Sequence, residues 1–180
     1  IQKKWIVNTM LMVFSGFSLT LVVWILWGYN MAFGTAAHLG GNDFFNNLIG
    51  VPHTLLSATA SQGQAVSDTN TVVPFHFPTS TLAYFQFAFA AITPLLFLGG
   101  LVGRLKFKAW LVIVPLWITF VYAVNAKLMW GGGFFALKGA VDFAGGFVIH
   151  LSAGIAAFVG AALVGPRIRR DRTTVPSNLM

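Results

Sequence analysis

Four long apolar runs, none containing Asp, Glu, Lys or Arg, decide what this chain can fold into. A helix needs about 20 apolar residues, at about 1.5 Å rise each, to cross a hydrocarbon layer about 30 Å thick. The runs 6–33, 81–102, 109–126 and 143–164 meet that need, so the predicted fold class is all-α: a polytopic membrane protein with four transmembrane helices. The first run ends in Trp24, Trp27 and Tyr29, rings of the kind that settle at the headgroup level. It is too long for a signal-peptide core, lacks a small-residue cleavage site and is followed by further runs, which argues against a targeting segment.

Charge agrees with this reading. Only 8% of the 180 residues are charged, whereas a soluble domain carries about 25%. The formal net charge is +7, which in a soluble chain would suggest nucleic acid as a partner. Here the basic residues lie between the apolar runs rather than on one face, so they read as topology signals and no nucleic-acid partner is expected. The chain has no cysteine, which removes disulfide, thiolate-metal and cysteine-nucleophile chemistry together.

Lys3 and Lys4 precede the first run, Arg104, Lys106 and Lys108 join the second to the third, and Arg167, Arg169, Arg170 and Arg172 follow the fourth. These are nine of the eleven basic residues, leaving Lys127 and Lys138 for the opposite side. The positive-inside rule then puts both termini of these residues in the cytoplasm, and the segments 34–80 and 127–142 outside. The expected location is a plasma (inner) membrane, with 165–180 as a cytoplasmic tail.

The outer segment 34–80 is rich in Ser, Thr, Gly, Asn and Pro and holds His38, His53 and His76. Their irregular spacing places no ligand pair on a common turn, so no metal site is expected and the segment reads as a loop capping a vestibule. The Pro-rich stretch Val73 to Pro78 leads the chain back to the membrane. The chain opens on Ile1 rather than Met, and four helices with small-residue faces make a poor closed bundle, so it reads as a segment of something larger.

Two polar residues stand in or beside the fourth run, where a charge at mid-bilayer costs about 3 kcal/mol on the insertion scale. Asp142 opens the helix, where its carboxylate can accept from free N–H groups and meets the positive end of the dipole. A helix cap is therefore its direct role. His150, eight residues on, would lie about 12 Å along a continuous axis, close to the midplane. Gly146 and Gly154 flank it on one stripe. That stripe suits either close helix packing, with Ala153 and Ala157 as small-residue contacts, or a narrow lumen with one polar group. A bis-histidine haem would need a second histidine at similar depth, and the other three are in the outer segment; no cofactor is expected.

An aromatic group completes the candidates. Phe85 and Phe89 share a face at helical spacing with Gln86 beside them, and Trp130 precedes Gly131, Gly132 and Gly133. Such rings attract a small cation through their quadrupoles, or serve only as packing and interfacial anchors.

The stretch Asp142-Phe143-Ala144-Gly145-Gly146-Phe147-Val148-Ile149-His150, continuing to Ala153-Gly154, resembles the DFAGG-x-VVH-x-x-AG signature of the ammonium transporter family (Amt/MEP/Rh). Trp130-Gly131-Gly132-Gly133 falls where that family has WGGG. Trp24-x-x-x-Gly28-Tyr29-x-x-Ala32-Phe33-Gly34 is similar to the end of the family's second helix, and Gln86-x-x-Phe89-Ala90-x-Ile92-Thr93-Pro94 to its third. The resemblance covers nearly all of the chain except the outer segment and the tail.

The resemblance implies helices two to five of an eleven-helix bundle that assembles as a homotrimer in the lipid bilayer, a transporter of ammonium or ammonia and not an enzyme. By position it implies Trp130 in a recruiting vestibule, Phe89 as a pore gate with Phe85 on the approach, His150 as a pore histidine, and Asp142 in a structural and electrostatic role. It also implies a PII-type regulatory protein as a cytoplasmic partner. Two positions depart from the pattern: Gly103 stands where the family has an acid, and Lys127, where many members have histidine, adds a positive charge near the mouth. The expected mechanism attracts the cation with aromatic faces, removes a proton and lets ammonia pass the imidazole, which avoids carrying an unpaired charge through an apolar channel. Alternatives are a Rh-like channel for neutral gas and an ammonium sensor coupled to a cytoplasmic signalling domain.

Overall fold

The computed structural model describes residues 5–65 and 77–166. Four helices are long and apolar enough to cross a membrane: Ile6–Phe33, Thr79–Leu101, Phe107–Leu137 and Gly146–Val164. Lys3, Lys4, His76, most of the Pro-rich stretch and the four arginines of the tail lie outside the described residues.

The spans run alternately up and down. At one end Trp5 meets Gly103, and Arg104 Nη1 donates to the Gly165 carbonyl at 3.2 Å, so the start of the first span, the link between the second and third, and the end of the fourth share a side. At the other end the segment after the first span folds back on the bundle. The Gly50 amide donates to the Met31 carbonyl at 2.7 Å, and Asn30 Nδ2 to the His53 carbonyl at 2.7 Å.

Small residues set the helix crossings, because without a hydrophobic drive in lipid it is close packing that holds helices together. A methyl on Gly100 of the second span would lie 3.0 Å from the Ala157 methyl of the fourth. A methyl on Gly16 of the first would lie 2.9 Å from the Trp110 ring of the third, whose Nε1 donates to the Met12 carbonyl at 2.7 Å. Trp24 closes the centre: it is buried and donates to the Ala83 carbonyl of the second span at 3.0 Å. Both indoles thereby satisfy their one polar group inside an apolar core. Phe14, Phe158 and Leu163 face outward, as lipid-facing or protein-covered positions should.

Three spans contain a π-helical turn: Trp24–Gly28, Ile118–Tyr122 and Gly146–Leu151. Such turns release carbonyls from the usual ladder. In the first, the Ile25 carbonyl accepts from the Leu55 amide at 3.0 Å, which ties the outer segment to the span.

Two expectations change. The third span stays helical from Phe107 to Met129, so the segment 127–142 begins inside a helix, and Lys127 is buried rather than displayed at the mouth. The fourth helix begins at Gly146, because Gly145 turns the chain with φ of 84°. His150 is the fifth residue of that helix, about 6 Å or less along its axis from Gly146.

Candidate functional site

The second span contributes the aromatic pair. Pro94 lacks an amide hydrogen and so interrupts the helix ladder; beside it, Thr93 Oγ1 donates to the Phe89 carbonyl at 2.6 Å and steadies that turn. Phe85 and Phe89 meet edge to face at 5.0 Å, and Phe89 meets Trp130 edge to face at 6.1 Å. Phe85 is 57% exposed, while Phe89 and Trp130 are half-buried, so the three rings form a graded series from open surface to interior.

Trp130 ends the third span, and its turn is crowded enough to require glycine. A Cβ on Gly131 would overlap the Ala32 carbonyl oxygen, and one on Gly133 would overlap the Lys127 carbonyl. The indole Nε1 then reaches the Asp142 carbonyl at 2.7 Å.

Asp142 caps the fourth helix with both carboxylate oxygens. Oδ1 accepts from the Gly145 and Gly146 amides at 2.8 and 2.7 Å, and Oδ2 from the Phe147 and Val148 amides at 3.0 Å each. Four N–H groups at a helix start are the donors that lack partners within the helix, and a carboxylate matches them in charge as well. With all four directed at the carboxylate, its contacts are those of a cap.

His150 lies one turn below that cap, and its ring is exposed with no hydrogen bond among the described residues. Gly146 and Gly154, above and below it, are exposed too, and a methyl on Gly154 would meet nothing within 4 Å. Ala153 is buried, and Ala157 meets Gly100, on the packed side of the same helix. The two uses of the small-residue stripe thus fall on separate faces: alanines on the helix contact, and glycines with histidine on the open side. An apolar cleft of about 460 Å³ between the second, third and fourth spans includes Phe97, Trp117, Asn125, Ser152 and Ile155 in its lining, and His150 does not line it.

The predicted site residues therefore come together as one chain of contacts, from Phe85 through Phe89, Trp130 and Asp142 to the His150 turn. A model of the Ammonium Transporter Family matches residues 1–179. The chain belongs to the ammonium transporter family. It is 42% identical over 187 residues to ammonium transporter 3 member 1 of Oryza sativa subsp. japonica, covering 99% of this chain and 37% of that protein. It is also 42% identical over 182 residues to ammonium transporter 2 of Arabidopsis thaliana, covering 99% and 36%. The crystal structure of Saccharomyces cerevisiae Mep2 is similar with a TM-score of 0.67 and 28% identity, over 86% of this chain and 32% of that one. This family member spans about a third of the length of these relatives.

The sequence did not single out Gln86 or Tyr122 for what their polar atoms do. Gln86 Oε1 and Tyr122 Oη are buried without a hydrogen-bond partner among the described residues. A polar atom amid apolar neighbours in a run of membrane-spanning length is the signal that marks such positions. Of the outer histidines, His38 and His53 are both exposed. Among the described residues no cluster of His, Asp and Glu could hold a metal.

Proposed function

We propose that the full-length protein carries ammonium across a membrane, recruiting the cation at Phe85, Phe89 and Trp130 and conducting ammonia along the face that bears His150. The observation that supports this most is the hydrogen bond from Trp130 to the Asp142 carbonyl, which joins the aromatic group to the capped helix start of the histidine turn. Aromatic faces bind an ammonium ion through electrostatics without demanding a counter-charge. Transfer of one N–H proton from the ammonium ion to water on the outer, aromatic side breaks that N–H bond and leaves neutral ammonia, for which an apolar passage is cheap, and the imidazole supplies one polar partner on the way. Potassium has no proton to lose and is rejected by the same arrangement. Phe89, between the two other rings, is the gate.

The orientation follows from the basic residues: the end that holds Arg104 faces the cytoplasm, and the aromatic end faces outside. The same reading includes homotrimeric assembly and a PII-type protein as a cytoplasmic partner. The test is uptake of labelled methylammonium by cells that lack ammonium uptake of their own and express the full-length protein. Uptake is expected with the wild type and strongly reduced with His150→Ala and with Trp130→Leu. Uptake indifferent to both substitutions would overturn the assignment.

A further inference from the structure

Lys127 occupies the last turn of the third span's helix and is 1% exposed. Its ammonium group donates to the Gly34 carbonyl at 2.7 Å and to the Gly131 carbonyl. Burying a charge is costly unless it is hydrogen-bonded, and carbonyls at a helix C-terminus supply both the acceptors and the negative pole of the dipole. These acceptors belong to different segments. Gly34 follows the end of the first span, and Gly131 lies in the turn that carries Trp130. That turn is further held by the Gly131 amide on the Ala126 carbonyl at 2.9 Å and the Gly133 amide on the Lys127 carbonyl at 2.8 Å.

We propose that Lys127 is a positioning residue for cation recruitment: its ammonium ties the Trp130 turn to the end of the first span and so fixes the indole against Phe89. This rests on the reading of the aromatic group as the recruiting site. The rival role for a lysine here is a charge that repels the incoming cation, and the two roles differ in sign. Removing a repelling charge lowers the KM for a cation. Removing a tie lets the turn relax and raises it.

The test replaces Lys127 by Met, which keeps the apolar stem and removes charge and donors, in the full-length protein. The expected result is a rise in the methylammonium KM of about threefold to tenfold, the loss expected when part of a cation–π contact goes, with maximal uptake unchanged. Because the lysine acts through the indole, Lys127→Met added to Trp130→Leu should raise the KM no further than Trp130→Leu alone. An unchanged or lowered KM, or effects that multiply in the double variant, would overturn the proposal. If the Met variant does not reach the membrane, Lys127→Gln takes its place with the same two criteria. A second readout needs no transport: hydrogen exchange of the Gly131 and Gly133 amides should be faster in the variant than in the wild type, and equal rates would overturn the tie. Absence of wild-type uptake would remove the transport reading instead, and the exchange measurement would still decide whether Lys127 holds the turn.

Discussion

The indole nitrogen of Trp130 lies 2.7 Å from the main-chain oxygen of Asp142, so one hydrogen bond spans the gap between the end of the third helix and the start of the fourth. Neither partner uses its charged or reactive group for it. The Asp142 carboxylate is left free to cap the helix, and the indole keeps its edge-to-face contact with Phe89.

Replacing Trp130 by Leu removes both the ring face and the bridge. Uptake at limiting methylammonium should fall about twofold to thirtyfold, the range of a cation–π contact of about 0.5–2 kcal/mol. Trp130→Phe keeps a ring face without the N–H donor and should fall between Leu and wild type in initial-rate assays.

His150→Ala should separate transport from stability. Its ring is exposed and makes no hydrogen bond among the described residues, so its removal there costs little packing. The expectation is uptake reduced at least about tenfold, as for loss of a general acid–base group or polar conduction partner, with a thermal unfolding midpoint in detergent within experimental error of wild type.

Asp142 should behave in the opposite way. Asp142→Ala removes acceptors from four amides at once, and Asp142→Asn retains one oxygen and loses the charge. Destabilisation of about 2 kcal/mol or more for Ala and about 1 kcal/mol for Asn follows from the usual worth of a cap and its charge. Thermal melts of the purified protein would check the order; a stable Ala variant that still fails to transport would instead point to direct contact of the carboxylate with the cation.

Gly131→Ala tests the closeness of the turn to the first span. The added methyl overlaps the Ala32 carbonyl oxygen, which is backbone and cannot rotate away. A loss of about 1–3 kcal/mol is expected from such overpacking, together with less protein recovered in folded form by size-exclusion chromatography. Gly139→Ala makes a contrast of another kind: nothing lies within 4 Å of its Cβ, but its φ of 83° charges only the backbone cost.

Most of the spans were legible because length and the absence of charge are properties of consecutive residues. The capping role of Asp142 was legible for a related reason: cap chemistry involves residues only a few positions apart. The burial of Lys127 was not legible because a lysine beside a predicted outer segment normally seeks water, and one of the carbonyls that allow its burial, that of Gly34 just past the first span, is remote in the chain. The start of the fourth helix was not legible to the residue, because the turn at Gly145 rests on a positive φ that periodicity does not record.

The order of residues alone determined that the chain must place four helices in a membrane, and it carried the motifs by which the family could be recognised, because both depend on local composition and spacing. The tertiary structure decided which face each helix turns to its neighbours, and therefore that the alanines of the fourth span pack while Gly146, His150 and Gly154 lie open. It also decided that a lysine joins two distant carbonyls and that an indole bridges two helix ends. These depend on distances between segments far apart in the chain, which no periodicity along it records.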